Sequence, residues 1–527
     1  MHKDQLPYAL TGRFSTLIQD YLERNDKLTP FYGRFPEYAA FADQMSDKSE
    51  NYQNRTGLST ALRAQYAKAQ IQSTLIDRLA KHNCFTITTG HQLCLFTGPL
   101  YFIYKIITAI KLAEELCKKY PDSDFVPVFW MASEDHDFDE INHAHLFGKK
   151  LVWESGQAGA VGRMQLTAID EVIAELDEIL GNSQHAEEAK SLIKEAYLDS
   201  EDLAAATRKL VVSLFGENRV LIIDGDDKTL KKIFVPNMLR ELSEQLSYSE
   251  VEKTSIELGA KYSLQVTPRE INLFYLGDQL RERIVFKDGI YSVLHTKLTF
   301  TPEEIVKETS TNPQNFSPNV ILRPLYQETI LPNLAYIGGG GELAYWFQLK
   351  AMFNSFGVTF PMLVLRNSVL WVGKNEMRKL QNLQLKIEDL FGDKEQLTQK
   401  LVLNQSGSEI SLDGEKDQLA ALFEGIAERA AGIDPTLRGM VMADEKRALN
   451  SLETIEKRMM KAEKDKHSQA INQLTGLFDK LFPEGNLQER HNNFFEFYLK
   501  YGSGFIDTLM QEFDPLDFSF TILSEEG

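Results

Sequence analysis

Between Glu134 and Glu140 the sequence runs Glu-Asp-His-Asp-Phe-Asp-Glu, five acids in seven residues around His136, with His143 and His145 close behind. Carboxylates at that density attract a protonated amine. A histidine, with an ordinary pKa of about 6.5, is suited to take its proton at neutral pH. The same residue types bind divalent cations, although no His-x-x-x-His pair with a following ligand accompanies them. Acids here also suit the start of a solvated helix. Ser133, Glu134, Asp135, His136 and Asp137 therefore carry three readings: an amine site with a general base, a metal site, and a helix start.

Two further stretches offer anion chemistry. Gly338, Gly339, Gly340 and Gly341 precede Glu342 and a helical pattern, so backbone can approach a ligand and present free N–H groups to a phosphate. No Lys-Ser/Thr follows, which excludes a Walker A loop. Upstream, a β-rich run ends at Thr89 and Gly90; Thr97 or Gly98 is placed as an N-cap, with Pro99 in the first turn of the next helix. A helix start there favours an anion. Lys105 sits one turn beyond Tyr101 among apolar neighbours, able to snorkel to a site or to solvent. Arg323 and Arg366 can fork onto a carboxylate or phosphate, or form structural ion pairs.

These residues need a scaffold, and the pattern supplies one. Cys84–Thr88, Phe125–Met131, Val220–Asp224, Leu334–Ile337 and Val358–Leu365 read as five buried parallel strands. Ile103, Ile106, Ile107, Ile110, Ala113 and Cys117 keep helical spacing after the first of them, and the polar cluster after Met131 falls at a strand's carboxyl end, where open parallel sheets bind ligands. The expected fold is α/β with a nucleotide-binding type of sheet. Residues 1–80 read as an N-terminal helical segment, and 81–370 as the core. The core carries a helical excursion at about 150–215 and a β insertion at about 255–300, where Tyr262, Leu264 and Val266 alternate and Gly277-Asp278 and Asp288-Gly289 mark turns. Thr301-Pro-Glu-Glu304 predicts a capping box, and one helix is expected from Glu342 to Phe356. Residues 371–482 read as a helical arm in which Leu452, Ile455, Met459 and Ala462 form an apolar seam, broken at Lys466, whose default role is self-association. Residues 483–527 return to core-like composition and are expected to pack on the core.

Composition narrows the function classes. The chain has 527 residues, too many for one core, and a net charge of −19, which repels nucleic acid. No apolar run spans a bilayer and no signal peptide opens the chain, so no membrane role is expected. Cys84, Cys94 and Cys117 form no Cys-x-x-Cys pair. This argues against a disulfide framework or a cysteine zinc site and for a reducing cytoplasm.

Taken together, several short motifs resemble the cysteine ligase family of bacillithiol biosynthesis, BshC. They are Thr89-Gly90-His91-Gln92, Phe96-Thr97-Gly98-Pro99-Leu100-Tyr101, Ser133 to Asp137, Arg323-Pro-Leu-Tyr-Gln327, Tyr336 with Gly338 to Glu342 and Trp346, and Gln488-Glu-Arg490. The resemblance runs from about residue 85 to the C-terminus. It implies an enzyme forming a carbon–nitrogen amide bond, joining L-cysteine to glucosaminyl-malate in the last step of making a low-molecular-weight thiol. It also implies a Rossmann-like core similar to class I aminoacyl-tRNA synthetases, a coiled coil that makes a homodimer, and binding of ATP or ADP; no metal is implied. Under that resemblance His136 and Asp137, with Glu134 and Asp135, hold and deprotonate the substrate amine. Thr89 to Gln92, Thr97 to Pro99, Tyr101, Lys105, Ser133, Arg323, Gln327, Tyr336, Gly338 to Glu342, Trp346, Arg366, Gln488 and Arg490 bind substrate or nucleotide. Two positions depart from the family pattern, His91 where glutamine is expected and Gly340 where proline is expected, and both bear on fine geometry. A Lys-Met-Ser-Lys-Ser loop is absent. Two rival functions share the same residues: a metal-dependent hydrolase using Ser133 to Asp137, and a nucleotide-regulated coiled-coil scaffold.

Overall fold

The computed structural model describes residues 1–406 and 410–526; residues 407–409 of the expected arm and residue 527 of the C-terminal segment lie outside them. Its centre is a five-stranded, all-parallel sheet in the order Met362–Leu365, Asn333–Gly338, Cys84–His91, Asp124–Met131, Leu221–Asp224. Numbered along the chain, that order is the doubly wound 3-2-1-4-5, reversing between Cys84–His91 and Asn333–Gly338. Alternate residues of one strand feed different cores. Val126, Val128 and Trp130 pack on one side of the sheet, whereas Phe129 and Met131 pack with helix Tyr101–Lys119 on the other. Burial of both faces explains why these strands read as unbroken apolar runs.

The register aligns the strands' carboxyl ends. His91 lies opposite Met131, Met131 opposite Asp224, Ile337 opposite Thr89 and Gly338 opposite Leu365. Above this edge stands a five-stranded antiparallel sheet, whose hairpins turn at Gly277–Leu280 and Lys287–Ile290. Tyr262 to Val266 form no strand; the sheet begins at Leu273 and takes its last strand from Phe316–Pro318. Helices Ile169–Leu180, Gln184–Tyr197 and Leu203–Phe215 fill the expected excursion. Helix Pro302–Thr311 has the expected capping box, with Thr301 Oγ1 accepting from the Glu304 amide and Glu304 accepting from the Thr301 amide.

Three expectations are corrected. The expected helix from Glu342 to Phe356 is two, Gly340–Trp346 and Lys350–Phe356, because the Gln348 and Leu349 amides bond only three residues back, to the Tyr345 and Trp346 carbonyls, and so tighten the turn between them. The N-terminal segment is not wholly helical: His2–Pro7 is a strand, antiparallel to Ser519–Ser524. Ser519–Ser524 in turn lies parallel to Ser368–Val372, so the two termini close a third sheet. That sheet takes Ser368–Val372 out of the run into the arm, and the arm's first helix is Lys374–Leu383.

The arm's long part is a helical hairpin, Asp413–Ile433 and Leu437–Lys466, antiparallel because Lys416 pairs with Glu456 and Arg438 with Glu424. The register break read at Lys466 coincides with a helix end: His467 leaves helical geometry and Ser468–Leu481 begins. Among the described residues no helix is long and apolar enough to cross a membrane.

Candidate active site

At the reversal point the parallel sheet's carboxyl edge and the antiparallel insertion enclose a cavity of about 580 Å³. The core contributes Gly90, His91, Gln92, Trp130, Glu134, Asp135, Tyr336 and Glu342; the insertion and the chain after it contribute Arg269, Phe274, Arg281, Arg283 and Arg323. Gly90 is where backbone must come close. A Cβ there would lie 3.3 Å from the Trp130 carbonyl oxygen.

Lys105 reaches this edge from inside helix Tyr101–Lys119. Its buried Nζ donates to the Gly90 carbonyl at 2.9 Å and to Glu342 at 2.7 Å. Burial pushes the Lys105 ammonium down, partly offset by Glu342. Burial would raise the Glu342 carboxyl, but the Lys105 charge outweighs it and holds it low. Glu342 also accepts from the Gly339 amide at 2.9 Å, capping its own helix. His91 is pushed down to about 3, by burial first and then by Lys105, so it is a neutral imidazole.

The acidic cluster does not converge on one point. Ser133 donates to Asp224, and Glu134 pairs with Lys231 at 2.8 Å. Asp135 accepts from Gln92 at 2.9 Å and from the His136 amide at 2.8 Å. Burial would raise the Asp135 carboxyl, but these bonds and the Arg281 charge outweigh it and hold it well below the usual range. Glu134 and Asp135 line the cavity, whereas His136 and Asp137 lie exposed at its rim. Among the described residues no group of three or more His, Cys, Asp or Glu side chains is arranged to hold a metal ion.

His136 Nδ1 lies 2.9 Å from an Arg281 guanidinium nitrogen and 3.5 Å from Asp135 Oδ1. A guanidinium can only donate, so the shorter contact makes Nδ1 an acceptor and leaves the proton of the neutral ring on Nε2. Arg281 is itself held over the Phe274 ring at 4.0 Å and by Ser317 Oγ and the Pro318 carbonyl. Arg323 donates to Gln327 Oε1 at 3.0 Å and to the Tyr345 hydroxyl at 3.1 Å. Gln327 is fully buried and donates onward to Glu328, so it orients Arg323 from behind the wall. Tyr336 stacks on Trp346 at 4.4 Å, which puts Trp346 inside the core and not on the cavity.

Several expected ligand groups are engaged elsewhere. The Thr97 and Gly98 amides, expected to face an anion beside Pro99, donate to the Cys94 and Leu95 carbonyls. The loop is strained, with Phe96 and Thr97 at φ 51° and 71°, and Asn493 ties it down by donating to the Phe96 and Gly98 carbonyls. Gly98 is required there, because φ is 62° and a Cβ would meet Cys94 Cβ at 2.6 Å. Thr89 bonds the Ile337 carbonyl inside the sheet. None of Gly338, Gly339, Gly340 and Gly341 lines the cavity; Gly338 is a packing glycine, since a Cβ would come within 2.8 Å of Leu343. Arg366 makes a buried ion pair with Glu489 at 2.7 Å. Gln488 exchanges hydrogen bonds with the Trp371 backbone, so the Gln488–Arg490 turn pins the C-terminal segment to the sheet. Tyr101 lies between Arg366 and Arg490, 5.3 and 5.9 Å from its ring, outside the cavity lining. Sequence reasoning missed Arg269, Arg281, Arg283 and Lys231; the alternation that marks the insertion was the one signal available for the first three.

Comparison with known proteins agrees with this architecture. The family model described as bacillithiol biosynthesis BshC, N-terminal Rossmann-like domain, matches residues 1–367, and that of the BshC C-terminal coiled-coil domain matches residues 369–525. A Flavobacterium johnsoniae protein named "Putative cysteine ligase BshC" is 44% identical over 529 residues, covering 99% of this chain and 100% of its own. One of the same name from Christiangramia forsetii is 43% identical, covering 98% of each chain. A solved Campylobacter jejuni structure, described as a putative arginyl-tRNA synthetase, is 10% identical with a TM-score of 0.21, covering 87% of this chain and 98% of its own, and carries no weight here. A Rossmann-like core, a coiled-coil arm and relatives that match end to end identify the chain as a member of the BshC family of bacillithiol biosynthesis.

Proposed function

We propose that this protein is a ligase that joins L-cysteine to the amine of glucosaminyl-malate, forming the amide of bacillithiol. Family membership supports the reaction, and one observation supports the site. The cavity joins Glu134 and Asp135 to Arg269 and Arg283, for which no ion pair or side-chain hydrogen bond is found among the described residues. A substrate with an ammonium at one end and two malate carboxylates at the other meets the two acids with the first and supplies the arginines' missing partners with the second. Arginine is the side chain that binds a carboxylate through two parallel bonds.

In this reading Glu134 and Asp135 draw in the sugar ammonium. The amine attacks only once neutral. His136 takes its proton when a malate carboxylate draws Arg281 off Nδ1, which couples substrate arrival to release of the base. Holding amine and cysteine carboxylate side by side supplies much of the acceleration. An amide ligase needs that carboxylate activated, and the family resemblance implies ATP or ADP for this. Of the amides that the sequence offers for its phosphates, at Gly98 and at Gly338 to Gly341, those of Gly98 and Gly339 are already bonded, and no step is assigned to a nucleotide.

The proposal extends to organisation. The core, residues 81–370, is read as similar in plan to class I synthetases, with residues 1–80 and 483–527 packed on it. The arm, residues 371–482, is read as the contact of a homodimer, because Leu422, Ile433, Met440 and Ile455 on its hairpin lie exposed. The net charge of −19 supports small-molecule substrates over nucleic acid, in the cytoplasm. The test is incubation with cysteine, glucosaminyl-malate and ATP, with mass detection of the amide and of AMP or ADP. His136→Asn should cost about a hundredfold or more in single-turnover rate; a variant within a few fold of wild type removes the base assignment.

A further inference from the structure

Beneath the cavity floor runs a line of alternating charges, buried at Lys231 and Asp226 and reaching solvent at Arg163, of which the reaction scheme above uses only Glu134. Lys231, on helix Lys228–Glu244, is fully buried, and its Nζ lies 2.8 Å from Glu134 and 3.0 Å from Asp226. Asp226 is gripped on its far side by Arg163, whose Nε and terminal nitrogen sit 2.5 and 2.8 Å from the two carboxylate oxygens. The four residues come from four separate places in the chain: the cluster after Met131, the short turn Val161–Arg163, the loop after Leu221–Asp224, and the helix. Only Glu134 of the four lines the cavity.

We propose that Lys231 is a positioning residue, fixing the Glu134 carboxylate toward the cavity so that it receives the substrate amine, with Asp226 and Arg163 fixing Lys231 in turn. The inference rests on the reading that Glu134 binds that amine. A carboxylate on a loop has several rotamers, and a buried ammonium 2.8 Å from one of its oxygens favours one of them through its charge. Burial alone would push the Lys231 ammonium down, but the charges of Glu134 and Asp226 outweigh it and keep it protonated. The groups facing Glu134 are Lys231, Arg163, Arg281, Asp226, its neighbour Asp135 and the Tyr326 hydroxyl. Without Lys231, Glu134 and Asp226 lose the cation they share, and one of them is favoured to take a proton.

The experiment is calorimetric titration with two probes, glucosaminyl-malate and malate alone, which lacks the amine. Lys231→Met should weaken glucosaminyl-malate by about tenfold or more, leave malate within about twofold, and show a deficit that shrinks between about pH 6 and pH 8. Lys231→Arg, which keeps the charge, should restore most of the affinity. In case Lys231→Met folds poorly, the double variant Lys231→Met, Glu134→Gln avoids a lone carboxylate beside the cavity. It should bind glucosaminyl-malate no worse than Glu134→Gln alone, since Lys231 acts only through Glu134. Equal weakening of both probes by Lys231→Met, or a double variant clearly worse than Glu134→Gln, overturns the proposal in favour of a merely structural lysine. If Glu134→Gln weakens glucosaminyl-malate and Lys231→Met does not, the positioning role fails while the amine site stands. If Glu134→Gln itself changes nothing, the amine site fails first.

Discussion

Helix Tyr101–Lys119 and helix Leu437–Lys466 are both long, regular and unbroken by proline, yet they rest on different physics. The first buries twelve of its 19 residues against the parallel sheet, Ile103, Ile106, Ile107 and Ile110 among them. The second buries two of 30, Val441 and Glu463, and keeps Met440 and Ile455 largely in solvent. Burial of apolar area stabilises by about 25 cal/mol per Å², so the core helix is held by its own chain. The arm helix has its hairpin partner, short contacts with helices Lys394–Gln405 and Ser468–Leu481, and exposed ion pairs, which contribute little each. Apolar residues kept at seam spacing but left bare in one chain are what a second copy would cover.

That contrast can be broken at its strongest point first. Arg366→Met leaves Glu489, 1% exposed, as an unpaired carboxylate at the junction of core and C-terminal segment. It should cost about 3–5 kcal/mol in denaturant unfolding. A loss below about 1 kcal/mol would mean that water reaches the pair. Next, Ile107→Ala in the core helix should cost about 2–5 kcal/mol, and Ile455→Ala in the arm a few tenths at a protein concentration where the chain is monomeric, about the value of an exposed substitution. Equal losses would refute the difference in burial. Glutamates at both Leu452 and Ile455 should give monomer in sedimentation while the melting of the core stays in place; a dimer that survives them puts the contact elsewhere.

A further effect is one of pH. His91 binds its proton with a pKa pushed down to about 3 in the folded chain, against about 6.5 when unfolded. The unfolded state therefore holds more protons between those values, and stability is lost as pH falls through that window. His91→Gln, the residue expected from the family pattern, removes the penalty. Unfolding midpoints compared at about pH 7 and pH 4.5 should show the variant gaining on wild type at the lower pH; a constant difference would mean that His91 is protonated in the folded chain.

How much of this was legible in the sequence follows from which contacts are local. The five parallel strands stood out because both their faces are buried, so Val126 to Met131 is apolar throughout. The capping box at Thr301 and the turn at Asp288-Gly289 were legible because a few adjacent residues determine them. The sheet joining the termini was hidden, since nothing near His2–Pro7 announces a partner at Ser519–Ser524. Gln488 and Arg366 carried the chemistry of ligand binding, yet they spend it on Trp371 and Glu489, and no local pattern separates the two uses. Arg281 and Arg283 read as ordinary polar positions of a hairpin and Arg269 as one of the loop before it, because only the folded insertion brings them over the core. Lys231 sits in a polar helix that carries Pro236, where a buried lysine leaves no periodic trace.

The sheet at the termini also sets a schedule. Its middle strand, Ser519–Ser524, has Ser368–Val372 on one side and His2–Pro7 on the other, with His2 opposite Ser524. A ribosome adding roughly 5–20 residues per second reaches Ser524 about half a minute to two minutes after His2. For that interval the first strand has no partner to pair with, and every strand of the parallel sheet is made before that partner is. The nascent chain thus spends that time with an open strand edge at its front, and an open edge is a template for pairing with another chain. A growing polypeptide of this sequence carries that open edge until Ser519–Ser524 emerges, and pairing with that strand is what covers it.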